Sequence, residues 1–319
     1  MLYYRLTEAE MSFITVFSHV FVLFVIMITG FVAGKAKFFS SAASKDFSAL
    51  LLKIATPALI ISSMLREFDG ELLTDALLCL LIGLSTFGGG MLINYAIARP
   101  LRIKQSHRGI WSVATSFTNT GFMGFPMALA VFGEKGLFLA AFINLAQTIL
   151  IFSCGVRLTI RDSDRENKES PLKTMLSPVN ISLIIGLVLF LTQADVPTAA
   201  EDAVRTVAAI VTPVSMIIVG LDISKYRLSE VIKDRDACIS AIINTVFIPL
   251  MLLGIFRLIP FREGSIVPGV SVLIMTMPAP SVSQAIAEQY GGDSAFTSHT
   301  IFLTSLLCLV TCPAIMTLI

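Results

Sequence analysis

Long apolar runs dominate this chain, and they leave its backbone few options. A helix needs about 20 mainly apolar residues to cross roughly 30 Å of hydrocarbon. Ten stretches approach that pattern: 13–32, 47–65, 72–98, 109–132, 136–156, 179–191, 199–221, 237–258, 266–290 and 295–318. The sixth is short and borrows flanking residues. Lipid offers no partner to a backbone amide, so stretches of this kind must pair within themselves as helices. Hydrophobic residues make up 55% of the chain and charged ones 14%, with mean hydropathy +0.84. That is more apolar surface than one water-soluble core can hide. The expected fold is an all-α integral membrane protein with ten transmembrane helices. The first stretch reads as a span rather than a cleaved leader, because its apolar run is long and Met1 to Ser12 sets only Arg5 against Glu8 and Glu10.

Basic residues give these stretches a direction, since short cytoplasmic loops collect Lys and Arg. The loops after stretches one, three, five, seven and nine hold 16 of them, including Lys35, Arg99, Arg157 and Lys225, against 6 on the opposite side. Both termini are therefore expected outside, in a multi-pass protein of the cytoplasmic (inner) membrane. The polar stretch from Arg157 to Lys173 becomes a cytoplasmic connector. A net charge of +1 gives no pull toward nucleic acid. Cys79, Cys154, Cys238, Cys308 and Cys312 lie inside apolar stretches and read as small packing residues, not as disulfides or metal ligands. No G-x-x-x-x-G-K-[ST] or H-E-x-x-H occurs, and the histidines lack metal-ligand spacing, so no cofactor, no metal and no enzymatic activity are expected.

The two halves repeat one another. Ile54-Ala-Thr-Pro-Ala-Leu-Ile-Ile-Ser62 returns 156 positions later as Ile210-Val-Thr-Pro-Val-Ser-Met-Ile-Ile218. Phe132-Gly133 with Phe138 returns after 158 as Tyr290-Gly291 with Phe296. Five spans per half is an odd number, so the second copy enters the membrane from the opposite side. The expected division is a five-helix repeat at 1–156, a linker at 157–178 and an inverted five-helix repeat at 179–319. One arrangement seen upside down gives an inward and an outward version of the same pocket.

Each half also holds one apolar stretch interrupted by Gly or Pro. In the fourth, Thr118, Asn119, Thr120, Gly121, Gly124 and Pro126 crowd together; in the ninth, Pro278, Ala279, Pro280, Ser281, Ser283 and Gln284 do. Proline removes a donor and glycine lets the backbone leave helical geometry, so both stretches are expected to break. Paired broken helices are the best sequence pointer to a transporter's binding site. The second half of a broken helix turns its positive end toward the gap, which favours an anion. No Lys, Arg, Asp or Glu lies in either gap, which suits a small carboxylate bound by dipoles, Asn119, Thr120, Ser281, Ser283 and Gln284. Unwound carbonyls also suit sodium ions.

Thr118-Asn-Thr-Gly-Phe-Met-Gly-Phe-Pro126 followed by Phe132-Gly133, and Pro278-Ala-Pro-Ser-Val-Ser-Gln284 followed by Tyr290, resemble the crossover segments of the auxin efflux carrier family of permeases, including its bacterial malate and malonate carriers. The resemblance covers essentially the whole chain. It implies two inverted five-helix repeats, in which helices 1, 2, 6 and 7 form a scaffold that makes a homodimer. Helices 3–5 and 8–10 would form a transport domain around the crossing of broken helices 4 and 9, with Asn119 and Pro278 at the substrate. The implied function is secondary transport of a small organic anion, such as malate, malonate or an auxin-like acid, by elevator-type alternating access. The plant carriers have Pro where Thr118 stands and a far longer central loop, so their loop regulation does not carry over.

Other polar residues are candidates for coupling or support. Lys53 is an intramembrane charge that either serves the site or snorkels to the interface. Asp222 either couples protons or caps an interface, while Asn144, Gln147 and His299 either reach the crossing or bond between helices. Thr56 and Thr212, beside Pro57 and Pro213, are expected to bond backward to carbonyls at kinks. Gly83 and Gly88, Gly89 and Gly90 are expected at a close helix contact. Two alternatives stay open: a sodium-coupled symporter of the bile-acid type, and a non-transporting membrane sensor, which predicts a soluble signalling domain or a long cytoplasmic tail.

Overall fold

The computed structural model describes residues 13–39, 41–162, 177–226 and 228–319; Met1 to Ser12 and most of the expected linker at 157–178 lie outside the described residues. Its elements are helical, with no strand among the described residues. The chain opens with α1 (Phe13–Lys35) and α2 (Ser41–Leu50), which runs through a widened turn at Leu51–Ala55 into α3 (Thr56–Met64). Next come α4 (Gly70–Ala98), α5 (Arg108–Ser116), a widened turn at Thr120–Gly124, α6 (Phe125–Leu150), another at Ile151–Gly155 and α7 (Val156–Asp162). The second half holds α8 (Pro178–Thr192), α9 (Thr198–Ala208), α10 (Val211–Ser224) and α11 (Arg235–Ile242). A last widened turn at Ile243–Phe247 leads to α12 (Ile248–Phe256), followed by α13 (Val267–Met275), α14 (Ser281–Tyr290) and α15 (Ser294–Met316).

Among the described residues six helical stretches are long and apolar enough to cross a bilayer: Lys45–Met64, Gly70–Ala98, Gln105–Asp162, Thr198–Ser224, Arg235–Phe256 and Ser294–Met316. The expectation of ten separate spans therefore differs from the count by length. One reason is that Gln105–Asp162 is a run of 58 residues, about 87 Å at 1.5 Å per residue and longer than one crossing. It turns at Gly133, whose φ of 66° places it in the left-handed region. Another is that 266–290 is split into pieces of 9 and 10 residues. The apolar helices Phe21–Lys35 and Pro178–Thr192 also fall below the length of a full crossing.

Three prolines sit just after a widened turn, and the pairing has a steric cause. Thr56, Phe125 and Ile248 donate to Leu51 O, Thr120 O and Ile243 O, five residues back. Pro57, Pro126 and Pro249 follow one residue later. Proline cannot donate, and its ring collides with the carbonyl four residues earlier. A turn bonded at five residues moves that carbonyl aside and lets the helix continue. The expected break over 119–126 is accordingly shorter: Gly121, Gly124 and Pro126 stay helical, and only residues 117–119 leave the helix.

Helix α1 lies along α10, α3 along α8 and α9, α4 along α6, and α11 along α15. The α1–α10 contact is backbone to backbone. A Cβ on Gly30 would lie 2.2 Å from Ile217 O, and one on Gly220 2.0 Å from Met27 O. Gly88 and Gly89, expected at such a contact, are not: Gly89 has nothing within 4 Å and Gly88 only ordinary contacts with Leu150. Gly83 is at one: a Cβ there would lie 2.8 Å from Ala146 Cβ.

Polar pairs cluster on two opposite faces, because α4 starts at one and ends at the other. Asp69 caps α4, accepting from Glu71 N at 3.0 Å and Leu72 N at 3.1 Å. The Leu72 amide above all holds its carboxyl below the usual range, against the opposing effect of burial. On that face Lys135 also meets Asp69 at 3.8 Å, Arg205 pairs with Glu134 at 2.7 Å, and Arg262 pairs with Glu71 and Asp75. On the other face Tyr95 donates to Asp162 at 3.2 Å, His107 meets Asp293 at 3.2 Å and His299 meets Asp234 at 2.8 Å.

Candidate functional site: the crossing of two interrupted helices

Two helices stop in mid-course and face each other. Helix α5 ends at Ser116, Phe117 turns extended (φ −97°, ψ 160°), and Asn119 (φ −80°, ψ 67°) caps the turn Thr120–Gly124. The Asn119 Oδ1 accepts from Phe122 N at 3.1 Å. In the second half, α13 ends at Met275, and Pro280 (φ −77°, ψ 135°) leads into α14. The gaps bond directly, Asn119 N donating to Pro278 O at 2.7 Å. An amide and a carbonyl that each lost a helical partner thus satisfy one another where lipid cannot. Gly124 permits the approach, since a Cβ there would lie 2.9 Å from Ile274 Cδ1 of α13.

Side chains from neighbouring helices complete the pairing. Gln147 Oε1 accepts from Thr118 N at 3.2 Å, while Asn144 Oδ1 accepts from Thr120 Oγ1 at 2.6 Å. Gln147 Nε2 also donates to Thr120 Oγ1 at 3.2 Å. Three contributors were not singled out from sequence. Asn244 Nδ2 donates to Thr115 O at 3.0 Å and Phe117 O at 2.9 Å. Thr304 Oγ1 accepts from Ala279 N at 3.0 Å, and Asn94 Nδ2 donates to Ser116 Oγ at 2.8 Å. The available signal was a lone polar residue inside an apolar stretch with no task assigned to it.

Two cavities flank the crossing and share Asn119 and Ser281. The first, about 90 Å³, lies against α10 and α15 and is lined by Asp222, Gln284 and Ser305 as well. The second is a groove of about 520 Å³ between α2–α3, α6 and α14, reached by Lys53, Thr56, Thr118 and Gly121. Asn144, Gln147, Thr120 and Pro280 also border this groove. Both extend toward the face of the His299–Asp234 pair, the first reaching Tyr226 and the second Ser48 and Ser177. On the other side of the crossing lies a void of about 10 Å³, lined by Met123, Met127, Met216, Met277, Cys308 and Cys312 with two apolar neighbours.

Several expected site residues line neither cavity. Pro278 and Ala279 act through their backbone, and Ser283 Oγ is turned back onto Pro280 O at 2.7 Å. Gly124 and Pro126 are packed inside. Gln284 and Asp222 do line the first cavity, but each is engaged there, Gln284 Nε2 donating to Glu288 Oε1 at 3.1 Å and Asp222 pairing with Lys225. His299 binds Asp234, the residue that caps α11 through Ala237 N. Thr56 does not bond backward: its buried Oγ1 has no partner, nor has that of Thr118.

Comparison with known proteins adds a family to this geometry. Residues 15–316 match the family described as "Membrane transport protein". An uncharacterized transporter of Methanothermobacter thermautotrophicus is 26% identical over 268 residues, covering 83% of this chain and 85% of its own. The uncharacterized transporter MJ1031 of Methanocaldococcus jannaschii is 22% identical, covering 90% and 93%. The uncharacterized transporter YfdV of Escherichia coli is 20% identical, covering 72% and 75%.

Proposed function

The chain belongs to the membrane transport protein family of auxin efflux carrier type, and we propose that this transporter carries a small organic anion by elevator-type alternating access. It is a multi-pass integral membrane protein and not an enzyme. Ten crossings in two inverted halves are the proposed arrangement. The pairing of α1 with α10 and of α3 with α8 supports it, since each joins one of the first two spans to its counterpart's neighbour in the other half. So does the likeness of the two gaps. The scaffold comprises the helices at 13–64 and 178–224, and the moving unit those at 70–162 and 235–316. The basic loops support an orientation in the inner membrane with the cavity-bearing face toward the cytoplasm and both termini outside. The proposed homodimer forms through the scaffold.

The observation that carries this reading is the bond between Asn119 N and Pro278 O, with open space on both sides of it. Groups at the crossing offer donors rather than carboxylates: Asn119 Oδ1 is occupied, which leaves its NH2 group available, and the start of α14 has no side-chain cap. An unshielded helix start favours an anion. The test is a thermal-shift screen of purified protein against acetate, lactate, malonate, malate and indole-3-acetate, since a ligand bound to the folded state alone raises its stability. At least one acid is expected to stabilise the native chain. Asn119→Ala should abolish that shift while remaining folded; an unchanged shift removes the site from the crossing.

A further inference from the structure

Lys53, itself exposed, borders the 520 Å³ groove. It occupies the middle of the widened turn Leu51–Ala55 of the apolar stretch Lys45–Met64. Eight residues separate it from Lys45, a depth of about 12 Å at 1.5 Å per residue, which exceeds what its four-carbon stem can span. It forms no ion pair with a described residue, and no acidic side chain borders the groove. Thr56 and Thr118, each 1% exposed, border the same groove, and their buried hydroxyls lack hydrogen-bond partners. Buried polar groups are normally paired, so two unpaired donors beside an uncompensated cation suit an anionic ligand.

We infer that Lys53 is the charge-selecting residue of the binding groove, its ammonium pairing with a carboxylate of the transported acid while Thr56 and Thr118 donate to it. This rests on the proposed carrier function. It adds an asymmetry: Lys53 belongs to the scaffold, whereas Asn119, Thr118 and Ser281 belong to the moving unit. The bound acid therefore bridges the two, and the Lys53 contact must break before the crossing can travel. Affinity measured on the cavity-bearing face should exceed affinity on the other.

Lys53→Gln and Lys53→Arg test the idea, using whichever acid of the screen most stabilises the native protein, together with its uncharged amide. Lys53→Gln is expected to weaken binding of the acid by tenfold or more and to leave the amide's weaker affinity unchanged. Lys53→Arg should restore most of the acid's affinity. Equal affinity of the acid for native protein and Lys53→Gln overturns the inference and leaves the carrier function standing. If no acid stabilises even the native protein, the carrier function itself fails and the role of Lys53 falls with it. Should Lys53→Gln fail to fold, Thr56→Val is read in its place, with the same loss expected for the acid and none for the amide.

Discussion

Asn244 spends a single amide group on two carbonyls, Thr115 O and Phe117 O, which the end of α5 would otherwise leave unpaired. Asn244→Ala should therefore cost about 1–3 kcal/mol, read as a lower melting temperature in detergent. It should also loosen the gap and weaken binding of any acid that stabilises the native protein. Such residues were hard to read from sequence. Asn119 and Pro278 announce themselves, because Gly and Pro have few reasons to interrupt an apolar run. Asn244 and Thr304 carry no comparable mark, since a lone polar side chain in a span often satisfies its own helix. Thr56 fits that local pattern in sequence, but its buried hydroxyl is unpaired and the residue borders the groove.

Helix contacts divide the glycines sharply. Gly220→Ala drives a methyl into Met27 O, and overpacking of this kind typically costs about 1–3 kcal/mol. Gly89→Ala, in the interior of α4 with open space around it, should instead raise stability by about 0.5–1 kcal/mol. Thermal unfolding of both variants checks the contrast; a neutral Gly220→Ala would mean that α1 and α10 lie farther apart. The triple glycine at 88–90 stood out by composition, whereas Gly30 and Gly220 are isolated and their partners lie far along the chain. The apolar stretches were legible because lipid permits one outcome for such a run. How far each proline would break its helix was not, because a turn of five residues absorbs proline without leaving a gap.

The faces of the molecule differ in what must part during transport. In the proposed elevator, Arg205 and Glu134 link the scaffold to the moving unit on the face opposite the cavities. Both side chains are more than a third exposed, so the pair contributes about 0.2–1 kcal/mol. Glu134→Gln should then shift the balance toward opening on that face by about 1.4- to 5-fold, measured as accessibility of a cysteine placed beside the crossing. No change would show that the pair does not hold that side shut. These links were not readable in the sequence, since Glu134 and Arg205 lie 71 positions apart. In that proposed elevator the barrier beneath them is formed by Met123, Met127, Met216 and Met277, which line the small void there. Unbranched thioethers flow around one another with little preference for one arrangement. A barrier of that kind wets poorly yet yields easily, so it can re-form after each passage without having to find a single registered fit.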